Sequence, residues 1–270
     1  MAGMVVKRVL LTGDDGYDAI GIRLLVRMLK DRFDLQVAAT ISQMSGVGGH
    51  ISVSTGGKYG ESEIEGVPVI WVDGYPVDAM EVVKSRGDAV YDLVLSGINF
   101  GANVSGSILS SGTFTAAGHA ISVGLAPRAI VLSWFLPVEF WFKKHAADED
   151  ITSYLNYPGR VARDIILRCI AENFWEAPIL NVNFPAESSR SVLFTRFQPK
   201  LDAFYRYPIS LDPKAGKFSY PPTLASDPDT DTQYDTGAIL SGLISVTPCR
   251  PTPADTDAAN RMTGRKLTLR

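Results

Sequence analysis

Two adjacent carboxylates, Asp14 and Asp15, follow the apolar run Val9-Leu10-Leu11 in the loop Thr12-Gly13-Asp14-Asp15-Gly16. Neighbouring carboxylates repel unless a proton or cation stands between them. At the end of a strand, where open α/β sheets form their ligand crevice, such a pair suits a hard divalent metal. A solvated turn with an aspartate capping the next helix is the competing account of this loop taken alone. Ser42-Gln43-Met44-Ser45-Gly46-Val47-Gly48-Gly49-His50 is a second loop, flexible and rich in backbone donors. Asn99 follows the clearest apolar strand, where its amide oxygen can complete a shell of oxygen ligands; alone, it also suits a turn. Ser110-Ser111-Gly112-Thr113 immediately precedes a helix, so hydroxyls and unpaired helix amides converge on one spot. Such a spot binds phosphate without a lysine, although plain N-capping by Ser111 or Thr113 competes with that role.

Several other chemistries lack their residues. The chain contains no GxxxxGK[ST] and no GxSxG, which excludes a P-loop and a serine elbow. Gly46-Val47-Gly48-Gly49 departs from GxGxxG and follows the second strand instead of the first. Asp227, Asp229 and Asp231 begin like a calcium loop, yet Thr232 stands for its glycine and Ala238 for its closing glutamate. With His50, His119 and His145 the only histidines, a histidine-rich zinc site is not expected; of the three, only the loop of His50 faces the crevice.

The elements that must position these loops alternate. Val9-Leu10-Leu11 predicts a strand, and Ile20, Leu24, Leu25, Met28 and Leu29 recur at helical spacing. Leu35 to Ala39 predicts a second strand at the connection length of a parallel βαβ unit. Ile51 to Gly74 predicts strands or a hairpin decorating the sheet, and Pro76 opens a helix over Val77 to Arg86. Tyr91 to Leu95 reads as a buried strand that empties into the glycine-rich loop from Ser96 to Asn103. A helix over Thr113 to Val123, a strand over Ala129 to Leu132, an amphipathic helix over Gly159 to Glu172 and a strand over Ile179 to Phe184 continue the alternation. The expected class is α/β, a Rossmann-like, doubly wound, mostly parallel sheet. Residues 1–197 form the catalytic core in this reading. Residues 198–270 form an extended, β-rich C-terminal arm that needs a partner surface and returns through the strand Leu243 to Val246.

Composition sets the outer limits. Of 270 residues, 46% are hydrophobic and 20% charged, enough for a sizeable core. A formal net charge of -3 gives no basic field for nucleic acid or anionic membrane, so an anionic substrate must be held locally. No apolar run approaches the roughly 20 residues of a membrane span. The first residues lack a secretory pattern, and Cys169 and Cys249 have no CxxC spacing, so reduced thiols in a cytoplasmic protein are expected.

Taken together, the loops resemble the SurE family of survival proteins, metal-dependent nucleoside-monophosphate phosphatases. The likeness runs in order through Leu10 to Ala19 with Gly21-Ile22, Ser45-Gly46-Val47-Gly48, Gly74-Tyr75-Pro76-Val77-Asp78, Asp92 to Asn103 and Ser111-Gly112-Thr113. It continues through Phe194-Thr195-Arg196 and Gly242 to Pro248. The resemblance implies one Mg²⁺ or Mn²⁺ per subunit on Asp14, Asp15, Ser45 and Asn99. It implies phosphate-binding hydroxyls on Ser111 and Thr113, flanking Gly112, and a homodimer or homotetramer with an exchanged C-terminal arm. This chain departs at Gly13, where the family usually has asparagine, and at Tyr75 and Val77 within the Gly-Thr-Pro-Ala-Asp motif.

On this reading Asp14, Asp15 and Asn99 form the reacting centre for a nucleoside 5′- or 3′-monophosphate. Either carboxylate is placed to take the proton of an attacking water. Two rivals remain at the level of sequence. Receiver domains also pair acidic residues after a first strand to bind Mg²⁺, but they place a phospho-accepting aspartate where this chain has Ser96-Gly97-Ile98-Asn99. A non-catalytic nucleotide-binding protein, with Gly13 marking the loss, is the other.

Overall fold

Val9, Leu10 and Leu11 have no exposed surface, so the strand that carries them, β1 (Arg8–Thr12), is covered on both faces, the mark of a parallel sheet between helices. The computed structural model describes residues 5–87, 90–220, 224–251, 261 and 263. After β1 come α1 (Ile20–Leu29), β2 (Asp34–Thr40), β3 (Lys58–Ile64), β4 (Val67–Asp73), α2 (Pro76–Ser85) and β5 (Leu93–Phe100). A 3-10 helix (Ser105–Ser110) leads into α3 (Gly112–Ser122), then β6 (Ala129–Trp134), α4 (Val161–Glu172), β7 (Ile179–Phe184) and β8 (Val192–Phe194). β9 (Ser210–Asp212) and β10 (Lys217–Ser219) form a separate antiparallel hairpin; α5 (Asp235–Leu240) and β11 (Ile244–Cys249) follow.

The main sheet has nine strands in the order β3-β4-β2-β1-β5-β6-β7-β11-β8. Pairs β4-β2, β2-β1, β1-β5, β5-β6 and β6-β7 are parallel. From β1 the chain moves outward through β2 in one direction and restarts at β5 on the other side. The carboxyl ends of β1 and β5 therefore flank the point where strand order reverses, which is where such sheets bind ligands. Side chains alternate between two cores along each strand. Val9, Leu11, Leu93 and Leu95 pack with α1 and α4; Leu10, Val94 and Val131 pack with α2 and α3.

The structure differs from the sequence reading in several places. The hairpin expected to decorate the sheet is part of it, because β4 pairs parallel to β2 through Val37–Val69 to Thr40–Val72 and only β3 lies at the edge. β5 does not end at Leu95. It runs to Phe100, and its register against β6 shifts between Ser96 and Asn99. Gly97 sits in that irregularity at φ +118, and a Cβ there would lie 2.1 Å from the Leu132 carbonyl oxygen, so only glycine fits. The region after Gln198 is not all arm. Phe204 is fully buried with Val104 and Ile239, α5 packs on β11, and β11 pairs antiparallel to β7 inside the main sheet. Among the described residues of this region the β9-β10 hairpin is exposed, with Leu211 and Phe218 70% and 65% exposed, and the C-terminal tail expected after residue 251 lies outside the described residues apart from 261 and 263.

Candidate active site

Asp14 and Asp15 leave the carboxyl end of β1 and turn in opposite senses. Asp14 faces α3. The Thr113 hydroxyl donates to its carboxylate, and the amides of Gly112 and Thr113, at the start of α3, also hydrogen-bond to it. Gly112 makes this approach feasible, since a Cβ there would lie 2.7 Å from Asp14 Oδ2. Asp15 faces β5, where the Phe100 amide donates to its Oδ2 at 3.1 Å. Burial pushes the Asp14 carboxyl above its usual range against these hydrogen bonds. Burial and the neighbouring Asp14 charge push Asp15 well above it. Without a cation the pair favours protons, and a divalent ion would relieve both causes.

Asn99 completes the polar end. Its Nδ2 donates to the Gly101 carbonyl at 2.8 Å, which fixes the amide and leaves Oδ1 buried without a hydrogen-bond partner. A buried, partnerless acceptor costs about 1–3 kcal/mol. Ser45 arrives on the loop after β2, which is anchored by Met44 N to Asp14 O at 2.6 Å and Gly48 N to Ser110 O at 2.9 Å. Gln43 Nε2 donates to Ser45 Oγ at 2.5 Å. Among the described residues no group of three or more His, Cys, Asp or Glu side chains is placed to hold a metal ion. The donors at this spot are oxygens of two carboxylates, an amide and a hydroxyl, a set that fits a hard cation such as Mg²⁺ or Mn²⁺.

The Ser-Gly-Thr segment has a divided role. Ser111 Oγ caps α3 by accepting from Phe114 N at 3.0 Å, so the capping alternative holds for its oxygen. Its proton can still be donated, and Ser111 lines the cleft. Thr113, fully buried, and Gly112 face Asp14, so in this structure they hold a carboxylate where the sequence reading had them hold phosphate.

Asp14, Ser45, Asn99 and Ser111 line one end of a cleft of about 620 Å³. Its floor, Gly101 to Asn103, is fastened by a buried amide network. Asn103 N donates to Asn183 Oδ1 at 2.9 Å, Asn103 Nδ2 to Ser133 Oγ at 2.9 Å, and Asn181 and Asn183 both donate to the Asn103 carbonyl. The same cleft is lined by aromatic side chains, Trp141, Phe142 and Tyr205 among them. Sequence reasoning did not assign these residues to the site. The aromatic stretch Phe140-Trp141-Phe142 was the available signal, but nothing local says that it folds back over the β5 loop.

The histidines stand apart. His50 is exposed, stacks on Tyr75 with ring centroids 4.0 Å apart and does not line the cleft. His119 meets Glu81 at 2.5 Å on the far side of α3. His145 packs edge-on to Phe100 with both ring nitrogens partnerless, and burial depresses its pKa to about 4. Cys169 and Cys249 are free and buried. No described helix is long and apolar enough to cross a membrane.

Comparison with known proteins identifies the family and the fold. Residues 9–202 match the family described as Survival protein SurE. A curated relative named 5′-nucleotidase SurE, from Solidesulfovibrio magneticus, is 32% identical over 271 residues, spanning 96% of this chain and 97% of the relative. One of the same name from Methanopyrus kandleri is 31% identical over 265 residues, spanning 94% and 96%. The crystal structure of the SurE protein from Aquifex aeolicus superposes with a TM-score of 0.70 at 26% identity, covering 94% of this chain and 98% of that one. A family match over most of the length, carried on a shared fold, establishes that this chain belongs to the SurE survival-protein family.

Proposed function

We propose that this chain is a metal-dependent phosphomonoesterase that hydrolyses nucleoside 5′-monophosphates to nucleoside and phosphate, with 3′-monophosphates as candidates for the same cleft. The observation that carries the reading is the partnerless, buried Asn99 Oδ1 near the buried Asp14 and its half-buried neighbour Asp15, in a cleft large enough for a nucleotide. The name 5′-nucleotidase carried by the curated relatives supports the substrate class.

In this reading Asp14, Asp15, Ser45 and Asn99 would hold one Mg²⁺ or Mn²⁺ per subunit, which when bound would offset phosphoryl charge and make the attacking water more acidic. Ser111, its oxygen committed to the helix cap, donates its proton to a phosphoryl oxygen and fixes the group for in-line attack. Thr113 and the first amides of α3 orient Asp14 and favour its charged form against the effect of burial. The Phe100 amide does the same for Asp15. Either carboxylate can take the proton of the attacking water.

Residues 198–270 are proposed to carry assembly into a homodimer or homotetramer, because the β9-β10 hairpin exposes Leu211 and Phe218. Light scattering of the whole chain tests that part. For the chemistry, phosphate release from AMP and GMP is measured with Mg²⁺, with Mn²⁺ and with chelator. Asp14→Ala is expected to abolish release; activity that survives the substitution or the chelator refutes the reading. AMP-induced thermal stabilisation with no phosphate release would favour a binding protein instead.

A further inference from the structure

The polar end of the cleft accounts for a phosphoryl group but not for anything attached to it. Beside those polar residues, in the same cleft, stands Trp141, on the segment between β6 and α4. Its orientation is constrained from several sides. The indole Nε1 donates to Leu136 O at 2.7 Å. Its carbonyl oxygen lies 3.3 Å from Gln43 Nε2 and 3.5 Å from Ser45 Oγ, which ties the segment to the loop that carries a candidate ligand. Gly101 brings the β5 loop to the indole, since a Cβ there would sit 3.5 Å from the ring. Tyr205 stands at a right angle to it, with ring centroids 6.1 Å apart and its hydroxyl directed to Ala102 O at 3.3 Å.

Two rings held at 87° make a corner, and both residues line the cleft. Fixed aromatic surface, half-buried and opening onto a polar reaction site, suits a flat π-system better than a bare sugar, which can offer only weaker C–H contacts. We propose that Trp141 is the specificity-determining residue of this site. It stacks on the nucleobase, and it directs the enzyme to nucleotides over sugar phosphates and other base-free phosphomonoesters. The inference rests on the cleft being the substrate site proposed above. It adds the group that reads the leaving nucleoside and the reason a segment outside the phosphate chemistry is fastened to the Ser45 loop.

The test uses ligands that cannot turn over. Adenosine and ribose are titrated calorimetrically into the whole protein with Mg²⁺ present. Base stacking on an aromatic side chain contributes about 1–3 kcal/mol per base, so the native protein should bind adenosine roughly 5- to 150-fold more tightly than ribose. Trp141→Leu, apolar but without a π face, should lose that preference, whereas Trp141→Phe should keep most of it. Both variants are compared, so a loss common to both would identify a packing role and overturn the inference. It is equally overturned if native protein fails to discriminate, or if Trp141→Leu discriminates as well as native protein. Asp14→Ala should retain adenosine binding. A protein that prefers adenosine through Trp141 but releases no phosphate from AMP therefore sinks the hydrolase reading and leaves this one standing.

Discussion

Replacing Thr113 with valine removes one hydroxyl from a fully buried position while keeping the shape of the side chain. That hydroxyl donates to the Asp14 carboxylate, and a hydrogen bond to a charged group contributes about 1.5–3 kcal/mol. The bond exists to the ionised form, so its loss raises the Asp14 pKa, already above the usual carboxylate range because of burial. Metal and proton compete for this oxygen. Below the raised pKa the lost hydrogen bond favours the proton, so apparent Mn²⁺ affinity should fall on the order of 10-fold or more. Above it, the valine variant should bind Mn²⁺ as tightly as native protein or more so, because the carboxylate no longer shares its charge with a hydroxyl. Calorimetric titration with Mn²⁺ from acid to mildly alkaline pH, with phosphate release measured in parallel, reads both limbs. Equal weakening at every pH would mean general damage. Unchanged affinity at every pH would mean that Thr113 does not tune Asp14, and either result refutes the reasoning.

Gly112→Ala should leave the fold assembled but displace Asp14, because the new methyl would meet its Oδ2 at 2.7 Å and its Cβ at 2.9 Å; Mn²⁺ binding should drop with little change in circular dichroism. His145→Phe should stabilise the protein in acid. Burial lowers the His145 pKa from 6.5 to about 4, so native stability is full above pH 6.5 and declines as pH falls from there towards 4. The phenylalanine variant should lack that decline in thermal melts at pH 5, and a native-like decline would show that the histidine is not its source.

The carboxylate end of the site was legible because its signals are local. A strand ending in Asp14-Asp15, an asparagine after a strong strand and a serine before a helix are each read within a few residues. The family resemblance adds Ser45 to them. Pro76 marked the start of α2 correctly, and β7 was read to the residue. What sequence reasoning missed depends on partners far away. The extension of β5 to Phe100 is stabilised by pairing Asn99 with Ser133 and Phe100 with Trp134, which no pattern around Gly97 announces. β8 is short and gains its place from β11, some fifty residues later. α5 begins at Asp235, whose carboxylate accepts from Ser105 N and Gln198 N, a burial invisible in a stretch rich in aspartate. The split duty of Ser111 and Thr113 was also out of reach, since both residue types suit capping and phosphate equally.

The asparagine network beneath the cleft has a dynamic consequence. The Asn103 amide is locked to a side chain of β7, and Ser105 N to the buried Asp235 at the start of α5, so their exposure to solvent requires this buried network to open. The loop that carries Ser45 hangs from a few backbone bonds at a half-exposed surface. Hydrogen exchange should therefore be slow at Asn103 and Ser105, and faster across residues 45–47, between the two anchoring bonds. One wall would act as a rigid anvil while the opposing wall breathes to admit the incoming molecule.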